Sequence, residues 1–149
     1  MQPRLDFFAV APATMKAMLN LEHHVVNSGL EHSLVRLVKI RASQINQCAF
    51  CLFMHTRDAR AAGETEERLY LLSAWRESSL YSERERAALV WTEALTLIAQ
   101  THAPDEEYAA LEAHFTEEER VELTLLICTI NAWNRFAVGF RSVLPSRPG

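Results

Sequence analysis

Cys48-Ala49-Phe50-Cys51-Leu52-Phe53-Met54-His55, followed by seven residues and then Gly63, is the stretch from which the rest of the chain is best read. On a helix each residue advances about 100°, so with Cys48 at zero, Cys51 falls near 300° and His55 near 340°. All three then share a sector of roughly 60° on one helix face. Thiols at i and i+3 come close enough to bridge. The imidazole four residues beyond Cys51 is placed to take its proton, which puts a nucleophile and a base within reach of each other. Asn46 and Gln47 form a candidate turn that leaves both cysteines in the first helical turn, where free amides and the helix dipole favour a thiolate.

Outward from this stretch the pattern stays helical. Pro12 to about Ser28 carries an apolar stripe through Met15, Met18, Leu19, Leu21, Val25 and Val26, closed by Gly29. A second helix runs from about His32 to Ile45 with Leu34, Leu37, Val38 and Ile40 inward, and a third holds the cysteines and ends near Ala62 at Gly63. Thr65 caps a segment to about Glu77, with Leu69, Leu72 and Trp75 inward. Ser82-Glu83-Arg84-Glu85 is a capping box opening a helix to about Thr101, and Asp105 to Phe115 is a short helix. Thr116-Glu117-Glu118-Glu119 is a second capping box, opening a long helix to about Val143 before a loose tail at Pro145 and Pro148. No window alternates with period two beside hairpin turn residues. The expectation is an all-α single domain over residues 1–149, a bundle of about six or seven helices. Apolar residues lie all round the last helix, which predicts central burial or a subunit interface and hence a homo-oligomer. Cys128 reads as a small buried hydrophobe.

Composition narrows the classes. The chain has 149 residues, 49% apolar and 23% charged, an ordinary globular balance. A net charge of −4 with no basic tract speaks against nucleic-acid or anionic-membrane partners. No apolar run reaches membrane-spanning length, and Met1-Gln2-Pro3-Arg4 lacks a signal-peptide core, so a cytoplasmic protein is expected. Three cysteines do not make a disulfide scaffold; in a reducing compartment a C-x-x-C pair is redox-active or metal-binding. One pair and one histidine on a short helical stretch cannot surround a tetrahedral metal, so no metal is expected.

Two reactions fit the pair. A hydroperoxide oxidises one thiolate to a sulfenic acid, which the other cysteine condenses into a disulfide. Alternatively the pair exchanges with a disulfide or dithiol substrate. Both need a dithiol reductant, lipoyl-like or thioredoxin-like, and neither needs a bound cofactor. Phe50, Leu52, Phe53 and Met54 supply apolar bulk suited to an organic hydroperoxide or a lipoyl-like arm, unless they simply pack into the core. A non-enzymatic redox sensor and an inert structural module remain the alternatives.

At these residues the chain resembles the alkylhydroperoxidase D-like group of the carboxymuconolactone decarboxylase family. The resemblance is carried by Lys39-Ile40-Arg41-Ala42-Ser43-Gln44-Ile45-Asn46, by Cys48-x-x-Cys51-x-x-x-His55 with Gly63, and by Asp58-Ala59-Arg60 and Ala74-Trp75-Arg76. It continues through Glu83-Arg84-Glu85-Arg86, Trp91-Thr92-Glu93-Ala94-Leu95 and Asn131-Ala132-Trp133-Asn134-Arg135-Phe136. It implies an all-helical fold assembling as dimer, trimer or hexamer, and a cysteine-based peroxidase or thiol oxidoreductase. By resemblance Cys51 attacks peroxide, Cys48 resolves it and meets the reductant, and His55 belongs to a proton relay. The chain departs from that pattern at three places. Arg36 stands where the pattern has a relay glutamate, twelve residues before the first cysteine; Phe50 replaces a histidine; Phe53 replaces an acidic residue. An arginine does not relay protons at neutral pH, though it stabilises a thiolate that it faces. Relatives without cysteines decarboxylate a lactone, a reading the cysteine pair disfavours.

Overall fold

Ser43, Gln44, Asn46, Gln47 and Cys48 reverse the chain between two helices and thereby set the architecture. The Gln47 amide donates to the Gln44 carbonyl at 3.1 Å and the Cys48 amide to the Ser43 carbonyl at 3.0 Å. This is the Schellman pattern that closes a helix through one left-handed residue. Gln47 takes that place with φ +52, where glycine is the unstrained choice. Cys48, one residue on, already caps the next helix.

A computed structural model describes residues 2–145; Pro148 of the expected tail lies outside them. In chain order the helices are α1 (Phe7–Val10), α2 (Pro12–Val26), α3 (His32–Ile45), α4 (Ala49–Ala61), α5 (Glu66–Leu71), a 3-10 segment Leu72–Glu77, α6 (Glu83–Thr96), α7 (Ile98–Thr101), α8 (Asp105–Glu112) and α9 (Glu117–Gly139). All seven expected helical segments are present in one all-α domain. The total among the described residues is nine because α1 is added and one expected helix breaks at Leu97, which has non-helical φ −104 and ψ 30. The Glu66–Glu77 segment tightens into 3-10 geometry after Leu71. Both capping boxes form: Ser82 and Thr116 each accept from the amide three residues on, and Glu85 and Glu119 return the bond. The last helix stops at Gly139 rather than Val143, because Arg141 turns left-handed and Ser142 donates back to the Ala137 carbonyl at 2.8 Å.

The centre of the domain is α3 rather than α9. Leu34, Val35 and Val38 face one apolar cluster with Trp91, Leu123 and Leu126; Leu37 and Ile40 face a second with Leu72, Trp75 and Leu89. α3 is thus buried on two sides, and apolar area removed from water stabilises by about 25 cal/mol per Å². Of the two expectations for α9, central burial holds on one side of the helix only. Leu123, Leu126, Ile127 and Ile130 are buried, but Val121 (68% exposed), Val138 (50%) and Cys128 open outward. Cys128 is therefore an exposed free thiol, because its side of α9 lines an open groove beside α8. No helix among the described residues is long and apolar enough to cross a membrane.

Candidate functional site

The α3–α4 turn is locked to α9 by a polar network. The Asn46 side-chain amide donates to the Asn131 and Asn134 side-chain oxygens, each at 2.9 Å. Asn134 donates to Ser43 Oγ at 3.0 Å. Ser43 and Asn134 are fully buried, so each unmade bond would leave a costly orphan. The network fixes where α4 starts, and α4 carries the chemistry.

Cys48 is the N-cap of α4, and its sulfur accepts the Cys51 amide at 3.3 Å. The two sulfurs are bonded, with Cα atoms 5.3 Å apart. Both residues are buried beside Ala137 and Phe50. They differ in what they face. Cys51 lines a cavity of about 520 Å³; Cys48 does not. His55, one turn along α4, lines the same cavity. Burial, and then the positive charge of Lys39, push its pKa down to about 4, against the opposing charges of Glu22 and Asp58. At neutral pH it is an uncharged imidazole, a base rather than one half of an ion pair.

The four apolar residues around the pair part company. Phe50 and Met54 line the cavity, Leu52 packs on the second apolar cluster, and Phe53 turns to solvent beneath Arg57. Phe7 and Phe8 of α1 close another wall: Phe8 stacks on Trp133, and Phe7 meets Phe136 and Phe140 of the α9 end at a tilt. Arg4 helps hold this cover by donating to the Gly139 carbonyl at 3.0 Å.

Arg36 lines the cavity too, so it shares a chamber with Cys51. Two further residues of the lining are not marked as functional by the sequence. Glu22 of α2 forms an ion pair with Lys39 of α3, whose side chain is 7% exposed, and accepts the Trp133 indole N–H at 3.2 Å. A buried ammonium is tolerated only with such an anion. Glu22 had one visible signal: it interrupts the apolar stripe of α2 between Met18 and Val25, on the face that turns inward. Lys39 opens the stretch that carries the family resemblance, but nothing local marks it as buried.

Residues 12–94 match the carboxymuconolactone decarboxylase family. The uncharacterized protein YdfG of Bacillus subtilis (strain 168) is 45% identical over 138 residues, 93% of this chain and 94% of its own. Among solved structures, ATU0492 of Agrobacterium tumefaciens, a protein of unknown function provisionally called antioxidant defence protein AhpD, superposes with a TM-score of 0.95. It is 48% identical, over 98% of this chain and all of that one. An uncharacterized peroxidase-related protein of Ralstonia eutropha JMP134, described as an alkylhydroperoxidase AhpD core, has a TM-score of 0.77 at 19% identity, over 90% and 72% of the two chains, a likeness of fold. With an AhpD-like fold, a C-x-x-C pair at the head of α4 and this agreement along its length, the chain belongs to the carboxymuconolactone decarboxylase family.

Proposed function

We propose that the protein is a cysteine-based peroxidase of the alkylhydroperoxidase D type, in which Cys51 attacks, Cys48 resolves and His55 moves the proton. The observation that carries this reading is that Cys51 and His55 face one largely apolar cavity while Cys48 approaches Cys51 from outside it. A lone structural disulfide would have no need of a chamber or of a neutral base beside it.

In the reduced protein the His55 imidazole takes the Cys51 proton. The thiolate attacks the terminal oxygen of the hydroperoxide; an S–O bond forms, the O–O bond breaks, and the departing alkoxide takes the proton back from His55. The products are a Cys51 sulfenic acid and an alcohol. The Cys48 thiol then attacks the Cys51 sulfur, the S–O bond breaks and water leaves. A dithiol restores the pair, supplying two electrons and two protons and leaving as a disulfide. The cavity leads to Cys51 and not to the buried Cys48, so a slender lipoyl-like arm suits this step by attacking Cys51, whereas the resemblance implies Cys48 as the reductant's target; a thioredoxin-like protein needs the first turn of α4 to open. Glu22 supplies, from α2, the carboxylate that the family pattern places at the position of Arg36. It fixes Lys39, and its own negative charge opposes that of Lys39 at His55, preserving part of the imidazole's basicity. The exposed side of α9 at Val121 and Cys128 supports homo-oligomer formation.

The test is a single turnover. Reduced protein mixed with one equivalent of tert-butyl hydroperoxide should lose two thiols and release one alcohol per chain. In Cys48→Ser the reaction should stop at a sulfenic acid trappable by dimedone. Intact thiols beside unconsumed hydroperoxide would refute the reading.

A further inference from the structure

The cavity carries a cation that the mechanism does not use. α3 presents His32, Arg36 and Lys39 to it, at i, i+4 and i+7 along one face. Lys39 is committed to Glu22. Arg36 is half-buried, and among the described residues no carboxylate, carbonyl or ring pairs with its guanidinium. The other charged group of the lining, Asp58, is exposed and lies 3.4 Å from the Arg57 guanidinium. An unpaired guanidinium beside Phe7, Phe8, Met54 and Trp133 combines an apolar wall with a forked donor that matches a carboxylate.

The levels along the wall follow from helix geometry. α3 and α4 pack on each other either side of the Asn46–Gln47 turn and line one cavity, so residues equally far from the turn fall at similar levels. Lys39 stands level with His55, and Arg36 a turn further out, level with Asp58. Arg36 is thus about 10 Å along the wall from the level of Cys51, at 1.5 Å per residue over some seven residues.

We propose that Arg36 makes this a pocket for amphipathic acids: the substrate is an organic hydroperoxide with an alkyl or aryl body and a carboxylate about 10 Å from its O–O bond. The carboxylate docks on Arg36, the body lies against the aromatic wall, and the peroxide reaches Cys51. The redox step is the one given above, on which this assignment of substrate rests.

Two measurements separate the two claims. Calorimetric titration of the oxidised protein with 6-phenylhexanoate and with its uncharged amide needs no turnover. The wild type should bind the acid at least ten-fold more tightly, Arg36→Gln should bind the two alike, and Arg36→Lys should keep part of the preference. Equal binding by the wild type, or a preference unchanged in Arg36→Gln, overturns the proposal. In turnover with a carboxyl-bearing alkyl hydroperoxide and its methyl ester, the ratio of kcat/KM should favour the acid at least ten-fold and collapse in Arg36→Gln. Consumption of both without preference would end the assignment to acids and leave the peroxidase standing. Charge-selective binding with neither hydroperoxide consumed would end the peroxidase and leave the anion pocket.

Discussion

Glu22 and Glu93 are two versions of one arrangement, a carboxylate held by a tryptophan indole and by cationic side chains. Glu93 accepts the Trp75 indole at 2.8 Å and the Arg41 guanidinium at 2.8 Å, and it pairs also with Arg76. Burial raises its pKa, but the hydrogen bonds from Trp75, Arg76 and Arg41 outweigh this and hold it below the usual carboxylate range. Its oxygens take donors from three side chains, and it ties α3, the 3-10 segment and α6 together. Glu22 has one cation and one indole, and its open side is a cavity containing a neutral histidine. The saturated carboxylate serves the fold; the half-satisfied one has capacity left for chemistry.

His55→Ala should break the contrast most sharply. Loss of a positioned general base typically lowers a rate by about 100-fold or more, and the second-order rate of Cys51 oxidation by hydroperoxide should fall by that order. Next come the two glutamates. Glu22→Gln leaves the Lys39 ammonium buried without an anion and should destabilise the fold by about 3 kcal/mol in urea unfolding. It should also slow peroxide reduction about ten-fold, through the loss of charge balance beside His55. Glu93→Gln should destabilise by about 2 kcal/mol yet leave the rate per folded molecule within about two-fold. Equal kinetic effects from both would erase the distinction.

The pH dependence has a definite sign. His55 has a folded pKa of about 4 against 6.5 unfolded, so between those values the unfolded chain binds more protons. Stability should therefore be full above pH 6.5 and fall as pH drops toward 4, by up to about 3 kcal/mol from this group. His55→Ala should flatten that part of the curve in urea titrations taken between pH 4 and 7. The smallest expected effect is at the turn. Gln47→Gly relieves a left-handed non-glycine residue and should add about 1 kcal/mol of stability with the site unchanged.

Much of the fold was legible because its signals are local. Pro12 at the start of α2, the capping boxes at Ser82 and Thr116, and the positive φ of Gly29 and Gly63 each act within a few residues. The short α1 was not, because its four residues carry no periodicity; only Asp6, whose carboxylate accepts the Phe8 and Ala9 amides at 3.1 Å, marks it. The exposure of Cys128 was misread because an apolar flank says nothing about which side of a helix finds a partner. At the site, Cys48, Cys51 and His55 were visible together, since four- and three-residue spacings are local. Glu22 is 33 residues from His55, and only tertiary packing of α2 on α3 and α9 brings its charge there. Many of the residues carrying the family resemblance, including Arg41, Asn46, Trp75, Arg76, Glu93, Asn131 and Asn134, turn out to brace α3 and α4 rather than touch the cavity.

The central claim is that Cys51, reached through the cavity, turns over hydroperoxide with Cys48 as its partner. Steady-state consumption of tert-butyl hydroperoxide with dihydrolipoamide as reductant tests it most directly. Many turnovers per chain are expected from the wild type, and background consumption alone from Cys51→Ser and from the Cys48→Ser/Cys51→Ser double variant. Consumption by the double variant equal to that of the wild type would contradict the account.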